Sequence, residues 1–431
     1  MTGSDHDKQG TVFIALENAE AYSGLKRIDG ELTRALRDDA LTILMFRNRA
    51  PSQADYDPKG YYAVNTLSLF ACYIGADIDE AVKWDSLPEG RTFGSKVAYE
   101  FHRARTQLHR EAAPLIYVFH DQSGSVHPKL APILEQARAD VLIRIFPVAG
   151  LDDFKAQLTE QVRAWRKADV RHVPSFLPGF DWADVTAGDV RYEDGEFVAT
   201  GRQKAWARYR AQTLTVTAGF AIATTPITNA QYDVFVRDER GYRDPAWWDF
   251  SDAGAAWRAD NPTPSAPDQP GEMLPRTNIA WFDAVAFCRW LEFRLKLPGA
   301  YEIRLPTDLE WQRAAVGDAH TRYPWGNDAE RTETRANVSE SGIGALTPVG
   351  QYPAGASPFG ALDMTGSAWE WTASTPDDPA GAQADGDLRT LRGGSYDLPL
   401  EYGRAAARLS DDPANVHETI GFRVVLAPRA G

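Results

Sequence analysis

Six short blocks dense in Trp, Gly and Arg follow one another between residues 304 and 424 of this chain. They are Arg304 to Trp311, Tyr323-Pro324-Trp325-Gly326, Gly366 to Thr372, Leu391 to Tyr396, Arg404 to Arg408, and Ile420 to Val424. No cysteine occurs in this region. Soft metals are bound, and thiol chemistry done, by a thiolate, so neither is on offer there. The chain holds only Cys72 and Cys288, which also excludes a disulfide-stapled secreted scaffold.

The first 168 residues follow a different pattern. Thr11 to Leu16, Leu41 to Phe46, Pro114 to His120 and Val141 to Phe146 are continuous apolar runs, alternating with helical patterns such as Leu25 to Leu36. Such runs mark strands of a parallel sheet covered on both faces. A last helix carries Leu151, Phe154, Leu158, Val162 and Trp165 at helical spacing. With 431 residues the chain divides into two domains. The expected division is 1–168, a Pro-containing linker over 169–179, and 180–431. The fold class is α/β plus α+β.

A net charge of −14 argues against general binding to nucleic acid or anionic membranes, which needs a basic surface. The basic run from Arg202 to Arg210 is read as a solvated face. No segment approaches the roughly 18 apolar residues of a membrane helix, and the N-terminus lacks the apolar core of a signal peptide, so a cytoplasmic location is expected.

In the second domain Thr228 or Asn229 caps a helix, and Asn278 to Leu295 forms a longer one. On it Trp281, Ala284, Val285, Cys288, Leu291 and Leu295 share a face, which makes Cys288 a small buried hydrophobe. Thr307 and Glu310 read as a capping box. Trp247 and Trp248, with Phe250 and Trp257, are either exposed ligand anchors or a cover over the core.

Taken together and in order, the six blocks resemble the formylglycine-generating enzyme (sulfatase-modifying factor) family over Ser175 to Ala427. The resemblance implies a C-type-lectin-fold domain. Generators in that family use a cysteine pair and copper, and the matching positions here are Leu398 and Gly403. Related sulfoxide synthases add an iron site with a histidine-rich motif, and this chain has no H-x-x-x-H-x-E cluster. Copper and iron are therefore not expected. The resemblance also implies a calcium ion held by Asp363, Gly366, Ala368 and Glu370, two hard carboxylates and two carbonyls. The alternative is a loop held by direct hydrogen bonds, with Trp369 and Trp371 in the core. The expected ligand surface is Asp397, Leu398, Leu400, Glu401, Tyr402, Leu409, Asp411 and His417, joined by Trp247 and Trp248. Proteins diversified by retroelements use the same face of this fold, and membership in that group is a further expectation.

The stretch Phe93 to Phe101, the strand from Pro114 and the helix at Asp152 resemble TIR-like domains, giving a flavodoxin-like first domain. Active members cleave the nicotinamide-ribose bond of NAD with a helix glutamate. Glu100 is the position that matches, the alternative being a solvated helix residue. NAD is a cofactor only if this domain is active. No glycine-rich phosphate loop precedes a helix, which disfavours a dehydrogenase or NTPase. The combined expectation is a bacterial-type recognition protein for signalling or defence. Its C-terminal domain binds an unidentified protein or small molecule, and it self-associates through the TIR-like domain. The rival is an enzyme, either NAD-cleaving or an oxidase.

Overall fold

The structure is a computed structural model that describes residues 11–15, 42–45, 67–74, 96–111, 115–126, 128, 130–167, 176–192, 196–200, 203–207, 212–297, 300–330, 332–382 and 388–429. The chain divides into two compact units, Met1–His172 and Val173–Gly431. The expected helix over Leu25 to Leu36 lies outside the described residues. Of the basic run only the strand backbone of Gln203–Ala207 is described, without its side chains.

The first unit is built on five strands: β1 (Thr11–Ala15), β2 (Thr42–Met45), β3 (Leu67–Ile74), β4 (Leu115–Asp121) and β5 (Arg144–Val148). They pair in the order β2-β1-β3-β4-β5, every pair parallel. Helix α1 (Lys96–Glu111) connects β3 to β4, α2 (Ala131–Ala139) connects β4 to β5, and α3 (Gly150–Lys167) follows. The central strand β3 was absent from the expectation, although Leu69 to Cys72 and Ile74 are at most 1% exposed. Strand β5 begins three residues later than expected. Asp140 turns the chain first, its side chain accepting from the Leu142 amide and its carbonyl from Ile143. Phe154, Leu158 and Val162, one helical turn apart on α3, are fully buried, with Phe154 edge-on to Phe119 at 5.0 Å. At the carboxyl end of the sheet, Asp121 accepts from the Tyr73 hydroxyl and from the amides of Ser123 and Gly150, fixing the start of α3.

The second unit contains β6 (Trp182–Val185), β7 (Gly188–Tyr192), β8 (Glu196–Thr200), β9 (Gln203–Ala207), β10 (Gln212–Val216), β11 (Phe220–Ala223), β12 (Tyr301–Arg304), β13 (Trp369–Trp371), β14 (Arg389–Arg392), β15 (Arg408–Asp411), β16 (Ile420–Phe422) and β17 (Val425–Pro428). They form a β10-β7 pair, a four-stranded sheet β12-β17-β11-β6, and a six-stranded sheet β16-β13-β14-β15-β8-β9. Four helices pack with them: α4 (Asn229–Arg237), α5 (Asp252–Asp260), α6 (Trp281–Leu295) and α7 (Asp308–Val316). Thr228, rather than Asn229, caps α4 through a full capping box with Gln231. Thr307 and Glu310 form the expected box on α7.

Helix α6 begins three residues after Asn278, which takes a positive φ of 60°. It is buried on more than one face, with Phe287 and Trp290 inside as well as Cys288. Burial pushes the Cys288 thiol well above its usual range, as suits a packed hydrophobe. Among the described residues no helix is long and apolar enough to cross a membrane.

Candidate functional site

The blocks noted in the sequence meet inside the second unit, and most of their charged residues close on one another. Asp308 accepts from Arg392 Nε, from Arg408 Nε at 2.7 Å and from the Tyr192 hydroxyl. Gln312 bridges the same two guanidinia, accepting from each at 2.9 Å. Burial alone would raise the Asp308 carboxyl, but the Arg392 and Arg408 guanidinia hold it below its ordinary value. Arg304 forks onto Glu310 at 2.6 and 2.9 Å. Arg423 forks onto Glu370 at 2.6 and 2.7 Å, and Trp311 Nε1 adds a third bond to that carboxylate at 2.8 Å. In the block at Tyr323 the chain makes a tight turn with reciprocal Tyr323 and Gly326 amide bonds, and the Tyr323 and Trp325 rings stack at 5.0 Å. Buried and half-buried pairs of this kind fix geometry more than they do chemistry.

This network bears on the calcium expectation. Both Glu370 oxygens are committed to Arg423 and Trp311, so a dication there would have to displace a buried guanidinium. Asp363 accepts from the Gly350 amide at 2.7 Å, and burial raises its carboxyl, which favours the neutral form. Gly366 approaches the Asn337 carbonyl so closely that a Cβ would lie 2.1 Å from it, and Ala368 packs with Leu346 and Tyr396. Asp363 and Glu370 thus hold this loop by direct bonds. Among the described residues no three His, Cys, Asp or Glu side chains gather as metal ligands.

Above the network, the loops at 262–274, 339–346, 395–402 and 412–418 converge on Tyr396. Gln269 donates to the Tyr396 hydroxyl at 3.5 Å and accepts from the Leu346 amide at 3.0 Å. The Tyr396 phenol is raised by burial and then by the negative charges of Glu418, Asp397 and Asp268. Ser339 donates to the Leu398 carbonyl, and both Glu340 oxygens accept from the Leu400 amide at 3.0 Å, capping the turn that carries Tyr402. His417 is tied in through its carbonyl, which accepts from Asn278.

The expected ligand surface is therefore assembled in part. Asp397, Glu401 and His417 are exposed, and Leu398 and Tyr402 half-buried. Leu400 is a correction: it is buried against Tyr323, Ala336 and Val338. Trp247 and Trp248 are a second correction, 7% and 0% exposed. Trp248 packs against Phe235 and Tyr242, and Trp247 against Phe293. They cover the core. Leu409 and Asp411 lie in the β14 ladder opposite Leu391 and Arg389, with Asp411 bonded to Asn415. Glu100 lies in α1, and its side chain is outside the described residues. Sequence reasoning missed Asp268, Gln269, Tyr396 and Glu418. Only Tyr396 had a signal, its place beside Gly393-Gly394-Ser395.

Leu398 and Gly403 are the positions that the resemblance matches to a thiol pair. A Cβ added to Gly403 would lie 2.6 Å from Thr365 Cγ2, and the Thr365 hydroxyl is itself bonded to the Gly403 carbonyl at 3.0 Å. Residues 182–428 match the Sulfatase-modifying factor enzyme 1-like domain. The chain belongs to this family.

The chain is 35% identical over 243 residues to a hercynine oxygenase of Mycolicibacterium thermoresistibile, covering 48% of this chain and 50% of that one. The chain spans about half the length of the hercynine oxygenases it matches. A formylglycine-generating enzyme of Mycobacterium tuberculosis is 31% identical over 345 residues, covering 72% of this chain and 95% of its own. Among solved structures, Treponema denticola variable protein 1 aligns at 19% identity and a TM-score of 0.41, over 58% of this chain and 95% of that one.

Proposed function

We propose that the chain is a recognition protein, whose sulfatase-modifying-factor domain binds a ligand through the loops around Tyr396 and does not make formylglycine. The observation that carries this is the Gly403 contact: the second thiol position is a glycine with no room for a side chain. Asp268, Asp397 and Glu418 make no ion pair among the described residues, which favours a ligand carrying basic groups. Tyr402, half-buried on the same turn, is the central anchor, since tyrosine gives contact area at low entropic cost. The test is selection of random displayed peptides on the purified chain. Selected peptides should be basic, and Tyr402→Ala should weaken them by about 2 kcal/mol with an unchanged melting curve. Selection of acidic peptides, or binding indifferent to Tyr402, would count against this face. If the face is diversified by a retroelement, the gene should differ from a nearby template repeat within these loops.

The first unit is the signalling partner in this reading. Its all-parallel β2-β1-β3-β4-β5 order, with Glu100 on the helix after β3, supports a TIR-like domain. Release of nicotinamide from NAD by the full chain, abolished in Glu100→Gln, would establish the catalytic form. No release would leave the unit an adaptor.

A second reading, an oxidase, is favoured by the identity to hercynine oxygenases. Oxygen uptake on adding iron(II) with candidate thiol substrates would support it over the binding module.

A further inference from the structure

A Pro-rich segment, residues 262–271, crosses the face around Tyr396. Pro262, Pro264, Pro267 and Pro270 have no backbone N–H, and among the described residues none of the segment's other amides donates a hydrogen bond. It is held from outside, through its carbonyls. Arg276 donates to that of Ser265, Asn278 Nδ2 to that of Ala266 at 3.3 Å, and Asn229 Nδ2 to those of Gln269 at 3.2 Å and Gly271 at 2.9 Å. The Asn229 side chain serves this purpose alone, since its Oδ1 has no partner. Gln269 adds a tie of its own: its side chain accepts from the Leu346 amide at 3.0 Å and donates to the Tyr396 hydroxyl at 3.5 Å. Asp268 on the same segment is among the carboxylates whose charge acts on that phenol. Tyr396 beneath is 7% exposed, although the segment over it is mostly exposed. A segment without amide bonds of its own, tied down by a few side chains, opens locally far more easily than a helix or strand.

We propose that residues 262–271 are a strap closed over Tyr396, with Asn229 as its anchor and Gln269 as its latch, and that the strap swings off as a unit to uncover the phenol. Opening breaks both Gln269 bonds together, so the Leu346 amide and the Tyr396 hydroxyl are released at once. The strap regulates the recognition face proposed above and rests on that reading for what it admits, but its motion is measured without a ligand.

The experiment is nitration of the full chain by tetranitromethane, followed at each tyrosine by peptide mapping, together with hydrogen exchange at the Leu346 amide. In the wild type Tyr396 should react more slowly than half-buried Tyr402. Asn229→Ala, which leaves Gln269 in place, should speed Tyr396 nitration and Leu346 exchange by one common factor, about tenfold for two lost hydrogen bonds, with Tyr402 unchanged. Gln269→Ala should speed Tyr396 nitration at least as much, and decides the matter if Asn229→Ala does not fold. Wild-type rates at Tyr396 in both variants would overturn the strap. So would faster nitration in Asn229→Ala with the Leu346 amide still protected, which would mean a local gap and no concerted opening. Failure of basic peptides to bind would count against the recognition reading and leave these rates as they are.

Discussion

The ionic network and the loops around Tyr396 use the same kinds of residue to opposite ends. Inside, Asp308, Glu310 and Glu370 are each closed by a guanidinium. Outside, Asp268, Asp397 and Glu418 gather about one phenol with no ion pair among the described residues. A paired carboxylate in the interior holds two chain segments together; an unpaired one at the rim keeps its charge available to solvent or a visitor. In this chain the carboxylates of the recognisable motifs are therefore mostly the paired kind, and the unpaired kind lies in the irregular loops.

The sharpest way to break that contrast is Asp308→Ala, which strands Arg392 and Arg408 without a counter-charge. It should cost about 3–5 kcal/mol in urea unfolding. A loss under about 1 kcal/mol would show that the network is not what locks the fold. Next in size is Leu400→Ala, which should cost about 2–3 kcal/mol because the side chain is buried between Tyr323 and Val338. Its neighbour Glu401→Gln should stay within about 0.5 kcal/mol, so the pair separates core from face within a single turn.

Acid offers a third route. The Asp308 carboxyl is depressed in the folded state. Its contribution is fully present above the unfolded value of about 3.9 and is lost as pH falls through the lower folded value. The melting temperature should drop below about pH 4, and Asp308→Asn should flatten that part of the curve. Smallest is Asp397→Asn, which should leave stability unchanged within about 0.5 kcal/mol and weaken only the binding of basic peptides.

How far the sequence could be read follows the same division. The Thr307 to Glu310 box, the buried Cys288 and the burial of Phe154, Leu158 and Val162 were legible because each depends on spacing along one element. Strand β3 is absent from the expected strands although Ser68 alone interrupts the apolar run from Leu67 to Ile74. Trp247 and Trp248 could not be assigned, since an aromatic pair in a polar insertion looks alike whether it covers a core or greets a ligand. Glu370 is a metal ligand by resemblance alone, and its bond to Arg423 could not be read, since 53 residues separate the two and only the fold brings them together. Asp268 and Gln269 reach Tyr396 from more than 120 residues off by way of an irregular loop, for which no periodicity exists to be read.

The contact at Gly403 limits what that position can hold. A cysteine placed there by one substitution would press its Cβ against Thr365, whose hydroxyl is tied to the Gly403 carbonyl. A side chain at 403 therefore needs a second change at 365, and packing couples the two positions although 38 residues separate them.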